Sequence, residues 1–194
     1  MNFVVLCSSK GTVFQSVLDA MQQGGLSSHC VGLVTDKEER GCTARARSAG
    51  IPVHIVQMKK GEPREEYDKR IDAAIRSFGS MPDIVTCMGW MWMLSPWFVS
   101  VWRNRIVNVH PALLPKHPGA HAHELVLKAK DTESGMTIHL IDEGMDTGKI
   151  LLQRSCPVLL TDTVETLKAR VQALECEWYP KALQMIEKGD LKLG

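Results

Sequence analysis

The chain lacks several features whose absence narrows what it can do. No apolar stretch approaches the roughly 20 residues that a membrane-crossing helix needs. The charged residues 36 to 48 also follow too soon after a short apolar start for a signal peptide. Neither sign of charge dominates: Lys+Arg 23 against Asp+Glu 22 leaves a net charge of +1, which offers no broad footprint to nucleic acid or an anionic membrane. The six cysteines, Cys7, Cys30, Cys42, Cys87, Cys156 and Cys176, stand singly with no C-x-x-C pair, mostly in or beside apolar runs. That pattern fits buried reduced thiols that pack as small hydrophobes. No repeat, low-complexity tract or linker interrupts the 194 residues, a length suited to one domain with one substantial core. The expectation is a soluble, cytosolic, single-domain protein over residues 1–194.

What is present is an alternation of short apolar runs and helical patterns. Phe3 to Leu6 reads as a strand and gives way to Ser8-Ser9-Lys10-Gly11-Thr12, after which Val13, Phe14, Val17, Leu18 and Met21 recur at helical spacing. Val31 to Thr35 and Val53 to Val56 read as strands flanking a short helix over 41 to 49 that Gly50 ends. Pro63 opens a helix through about Phe78, with Tyr67, Ile71, Ala74, Ile75 and Phe78 on one face, and Ile84 to Cys87 follows as a strand. Ile106 to His110 continues the series, and a helix covers His123 to Ala129. Two strand-like runs, Met136 to Ile141 and Ile150 to Val158, then follow with no helix between them and are expected to pair antiparallel. Asp162, three residues before Glu165, caps a final helix that Pro180 is expected to break or kink. The sum is an α/β fold: an open, mostly parallel twisted sheet with helices on both faces and an antiparallel element in the C-terminal half.

Three places in this pattern carry chemistry. Asn108 and His110 lie two apart at the end of an apolar run, so a strand would point both side chains into one space. Two readings fit them: a strand-end pair satisfying nearby backbone groups, or a neutral donor beside a titratable ring, suited to an oxygen that turns negative during acyl transfer. The segment Asp142 to Gly148 is either an acidic hairpin turn or the source of a carboxylate, Asp146, that supports an imidazolium at His110. Gly11, Thr12 and Val13 form a strand-to-helix turn whose backbone N–H groups suit a phosphate, with Lys10 able to add charge. The turn matches neither G-x-G-x-x-G nor the Walker pattern. His117, His121 and His123 join His110 in no closed ligand set, and no metal is expected.

Taken together, S-S-K-G-T at 8–12, G-W-M-W-M-L-S-P at 89–96, N-V-H-P-A-L-L-P-K-H-P-G at 108–119, H-L-I-D-E-G-M-D-T-G at 139–148 and R-V-Q-A-L-E at 170–175 resemble the folate-dependent formyltransferase superfamily, on its glycinamide ribonucleotide branch. The resemblance runs from the first strand to the last helix and implies a Rossmann-like formyltransferase fold. It implies formyl transfer from 10-formyltetrahydrofolate, as cosubstrate, to the amine of glycinamide ribonucleotide in purine synthesis, with Asn108, His110 and Asp146 catalytic. It assigns Gly11, Thr12, Val13, Gln172 and Glu175 to the nucleotide, and Met91, Trp92, Met93, Leu94, Ile141 and Asp146 to the folate. The alternatives are hydrolysis of formyl-folate and transfer to another amine. The implied partners are these two small molecules, with no nucleic acid or membrane, and the chain is expected as a monomer or homodimer.

The chain departs from the family pattern where Ser9 and Lys10 replace a more common Gly-Asn and Val13 replaces an Asn, which leaves backbone donors and Lys10 for the phosphate. Trp92 stands where Arg is frequent, so stacking takes the place of a cationic contact to the folate tail.

Overall fold

The computed structural model describes every residue from Met1 to Gly194. Its centre is one seven-stranded sheet of β1 (Asn2–Leu6), β2 (His29–Thr35), β3 (Val53–Ile55), β4 (Ile84–Cys87), β5 (Ile106–His110), β6 (Glu133–Leu140) and β7 (Ile150–Pro157), ordered β3-β2-β1-β4-β5-β6-β7. The first five strands are parallel, whereas β6 runs antiparallel to β5 and β7 antiparallel to β6. The expected architecture is therefore observed, including the antiparallel C-terminal pair. The chain winds outward from β1 to β3 and then restarts at β4 on the other side of β1, so strand order reverses between β1 and β4. In open α/β sheets that reversal leaves a crevice at the carboxyl ends of the strands, where ligands bind.

The continuous apolar runs of the early strands follow from burial on both faces. Along β1, Phe3 and Val5 enter one core cluster and Val4 and Leu6 the other. The first cluster lies under α1 (Thr12–Gln22), α2 (Gly41–Ser48), α5 (Ala122–Ala129) and α6 (Val164–Lys188), through Phe14, Val17, Ala46, Val126, Leu167, Val171 and Tyr179. The second lies under α3 (Arg64–Arg76) and α4 (Pro96–Val101), through Tyr67, Ile71, Ile75, Phe98 and the following Trp102. The Phe, Val, Leu and Ile side chains among these each stabilise the fold by roughly 1.5–3 kcal/mol when fully buried. A polar residue on either face of β1 is thus a large loss. No helix is long and apolar enough to cross a membrane.

Three local expectations need correction. The cap of α6 is Thr163, whose hydroxyl accepts from the Thr166 N–H while the Thr166 hydroxyl accepts from the Thr163 N–H. Asp162 instead accepts the Arg170 guanidinium with both oxygens, at 2.6 and 2.8 Å, and the Leu159 N–H. Pro180 does not end the helix, which runs unbroken over 25 residues. The hydrogen bond it deletes is outweighed by burial of Tyr179, Pro180, Ala182 and Leu183 against the sheet. Helix α4 was not expected. Ser95 caps it by accepting from the Phe98 N–H and Pro96 occupies its first turn, a start signal hidden inside a run that reads as unbroken apolar sequence.

Candidate active site

The ends of β1, β4 and β5 meet at the switch point. The loop after β1 is tied to the loop after β4, since the Ser8 N–H donates to the Gly89 carbonyl at 3.1 Å and the Ser8 hydroxyl accepts from the Met91 N–H at 2.8 Å. Cys87, the last residue of β4, pairs with Asn108 in β5. These contacts bring the Gly11 turn, the Trp92 segment and the Asn108–His110 strand end to one edge of the sheet.

At that edge Asn108, His110 and Asp146 converge; strand alternation placed the first two on one face, and the fold brings Asp146 to them. His110 is buried, at 4% exposure, and its Nδ1 lies 3.2 Å from Asp146 Oδ2. Its Nε2 lies 2.8 Å from the His117 carbonyl oxygen, which can only accept, so Nε2 carries a proton. Both ring nitrogens face acceptors, and only the imidazolium donates to both. Burial nevertheless pushes the ring below its ordinary value. Asp146 and the His117 carbonyl pull it upward, while the nearby His139 and His117 add to the fall. Asp146 thus pulls the ring upward, as expected of a carboxylate beside it, but opposes burial without overcoming it.

Asp146 reaches the cluster from the β6–β7 turn, where it adopts a left-handed φ of 54° that is uncommon for a residue with a side chain. Gly148 allows the turn to close, because a Cβ there would stand 1.9 Å from the Leu140 carbonyl oxygen. Burial pushes the Asp146 carboxyl up, but His139, the Gly119 N–H at 2.7 Å and His110 together hold it below the usual carboxylate value.

His139 is the member of the cluster that sequence reasoning missed. It pairs with Asn108 across β5 and β6, and its Nε2 lies 3.1 Å from Asn108 Nδ2 and 3.4 Å from Asp146 Oδ1. Its Nδ1 donates to the Leu140 carbonyl at 2.8 Å. The available signal was a lone histidine between Ile138 and Leu140 in a strand buried along most of its length.

The remaining expected residues lie around this cluster. Gly11 caps α1 at φ 73°, and a Cβ there would meet Cys42 Cβ at 2.8 Å, so glycine is required. Its own N–H is taken by the Ser9 hydroxyl at 3.2 Å, which leaves the Thr12 and Val13 N–H groups, with that of Phe14 behind them, as open donors at the helix start. Gln172 and Glu175 sit half-buried on α6, which packs on α1, and burial pushes the Glu175 carboxyl up to about 7 against the pull of Lys168.

Met91 and Met93 stand largely in solvent, at 73% and 54% exposure, while Leu94 and Ile141 pack against the second core cluster. Trp92 turns toward Asp36, donating to Oδ2 at 3.3 Å, with the Arg64 guanidinium 5.4 Å from its ring centroid. A cavity of about 270 Å³ opens beside Ile141, between Val99 and Glu143. A larger groove of about 870 Å³ lies between α1 and α2 and contains none of the three convergent residues. His117 and His121 pair with Asp131 and Glu124, and no group of three or more His, Cys, Asp or Glu side chains is placed to hold a metal.

Against known proteins, the formyl transferase family model matches residues 1–183. The chain belongs to the formyl transferase family. Within it, the chain is 35% identical over 193 residues to the phosphoribosylglycinamide formyltransferase of Escherichia coli, covering 100% of this chain and 90% of that protein. It is 37% identical over 190 residues to the cattle trifunctional purine biosynthetic protein adenosine-3, covering 98% of this chain but only 19% of that longer protein. The crystal structure of glycinamide ribonucleotide transformylase 1 from Symbiobacterium toebii superposes with a TM-score of 0.92 at 31% identity, over 97% of this chain and 88% of that one. The formyl transferase fold thus accounts for nearly the whole chain.

Proposed function

We propose that this chain transfers a formyl group from 10-formyltetrahydrofolate to the amine of glycinamide ribonucleotide, acting in the cytosol on two small-molecule substrates. The observation that carries the reading is the convergence of Asn108, His110 and Asp146 at the carboxyl end of β5, beside the switch point. The named relatives support the choice of substrates.

In this reading the amine adds to the formyl carbon and the carbonyl oxygen becomes an anion. Asn108 donates an amide N–H to that oxygen, and the His110 ring donates a second hydrogen bond. A negative charge arriving beside a ring that burial has lowered favours the imidazolium, so His110 becomes a better donor as the reaction proceeds. Asp146 supports that cation and, through water, accepts the proton of the attacking amine and delivers it to the departing folate nitrogen. The C–N bond to the folate then breaks, giving formylated nucleotide and tetrahydrofolate with no change in oxidation state.

The Thr12 and Val13 N–H groups, with Gly11 shaping the turn, hold the substrate phosphate at the positive end of α1. Gln172 and Glu175 face the nucleotide from α6. Leu94, Ile141 and the Trp92 segment line the folate side, with Met91 and Met93 closing over it.

Incubation with 10-formyltetrahydrofolate, with and without glycinamide ribonucleotide, tests the reading. Formylated nucleotide formed only when both are present is the expected result. Tetrahydrofolate and free formate released at the same rate without the nucleotide would mean a hydrolase.

A further inference from the structure

His117 touches the reacting cluster with its backbone rather than its side chain. Its carbonyl oxygen holds the His110 Nε2 proton at 2.8 Å, and two residues later the Gly119 N–H donates to Asp146. The side chain points away and is tethered: its Nε2 donates to Asp131 Oδ2 at 2.7 Å, with Lys116 Nζ at 3.5 Å from the other carboxylate oxygen. Asp131 is itself fixed, because its N–H donates to the Val126 carbonyl at 3.2 Å where α5 ends, two residues before β6. His117 also has a φ of 54°, a left-handed conformation that a side-chain-bearing residue keeps only when its surroundings hold it there.

An oxygen that is to take the His110 Nε2 proton must displace the one already there. The exchange replaces one hydrogen bond by another. Its free energy is therefore set by what else holds residue 117 in place. The tether to Asp131 resists release, and the left-handed backbone favours it.

We propose that the His117 carbonyl is an internal stand-in for the formyl oxygen, strapped over His110 by the His117–Asp131 pair and exchanged for that oxygen when the formyl donor binds. The strap keeps the proton on Nε2, the nitrogen that donates next, and it sets how readily the donor enters. This inference rests on the formyl-transfer reading above, because it names which ligand atom replaces the carbonyl.

The test compares wild type with Asp131→Asn, His117→Phe and His117→Gln, measuring kcat and the KM for 10-formyltetrahydrofolate separately. Loss of a charge-assisted tether lowers the KM of Asp131→Asn by about fivefold. His117→Phe moves it further in the same direction, and His117→Gln, which keeps a donor of similar reach, returns it toward wild type. Histidine ¹⁵N resonances in the ligand-free protein provide a second readout. They are expected to show a hydrogen-bonded Nε2 proton on His110 in wild type that is weakened in Asp131→Asn. An unchanged or raised KM in both tether variants, or an unperturbed Nε2 proton, overturns the proposal. A wild-type chain that makes no formylated nucleotide overturns the functional reading instead, and the resonance comparison still decides whether the strap exists.

Discussion

Two regions at the same edge of the sheet are built on opposite plans. The turn after β1 offers backbone donors from consecutive residues, Thr12 and Val13, and needs one glycine to form. The cluster at the end of β5 instead assembles side chains from β5, β6 and the β6–β7 turn, separated by up to 38 positions, in a site where His110 and His139 are almost fully buried. A backbone site depends on conformation and tolerates changes of side chain. A buried side-chain site depends on identity and tolerates almost none. On that ground a change of side chain at Lys10 or Val13 should matter less than one at Asn108, His110 or Asp146.

The comparison breaks most visibly at the side-chain cluster. Asn108→Ala removes one donor to the developing anion and should lower kcat by about 10²–10³ with little change in folding. Near-wild-type turnover would remove Asn108 from the chemistry. Asp146→Asn takes away the charge that opposes burial at His110, so the imidazolium is lost at lower pH. The decline of its rate with rising pH should therefore begin at lower pH than in wild type, and a superimposable pH–rate profile would mean the two side chains do not communicate.

The backbone region should respond to conformation and little to charge. Gly11→Ala forces a Cβ into Cys42 at an unfavourable φ, which should raise the nucleotide KM and lower stability by about 1–3 kcal/mol. Lys10→Ala, an exposed change, should alter the nucleotide KM less than about threefold. A larger effect would show that the phosphate leans on a side chain after all.

The smallest expected effect is on stability against pH. The His110 value is lowered from 6.5 in the folded state, so the unfolded chain binds that proton more tightly. Its contribution is full above about 6.5 and falls as pH drops through that value. Asp146 is held below 3.8, so its contribution is lost at still lower pH. Both make acid destabilising. A thermal midpoint that rises on acidification from pH 7 to 5 would contradict the assignment at His110.

Much of the fold was legible because the early strands and helices are local in their logic. β1, β2 and β4 are short apolar runs buried on both faces, and α1 and α3 show one apolar stripe each. The misreadings occurred where tertiary contacts overrode a local rule. Pro180 lies within a helix because its neighbours are buried against the sheet, and Asp162 serves Arg170 because that guanidinium returns along α6. In the site, Asn108 and His110 could be placed on one face by alternation alone. His139 could not, because its partnership with Asn108 depends on the β5–β6 register, and neither could the His117 carbonyl, whose role depends on where a loop is tied.

The amino-acid sequence by itself determined the α/β alternation, the antiparallel C-terminal pair and the identity of the chemical groups, because hydrophobic period and residue type are properties of neighbouring positions. Only the tertiary structure decided that Asp146 meets His110, that His139 stands between Asn108 and Asp146, and that burial lowers the ring's pKa more than the carboxylate raises it. Those outcomes depend on strand register, on a strained turn and on exclusion of water, which exist only once distant segments have packed together.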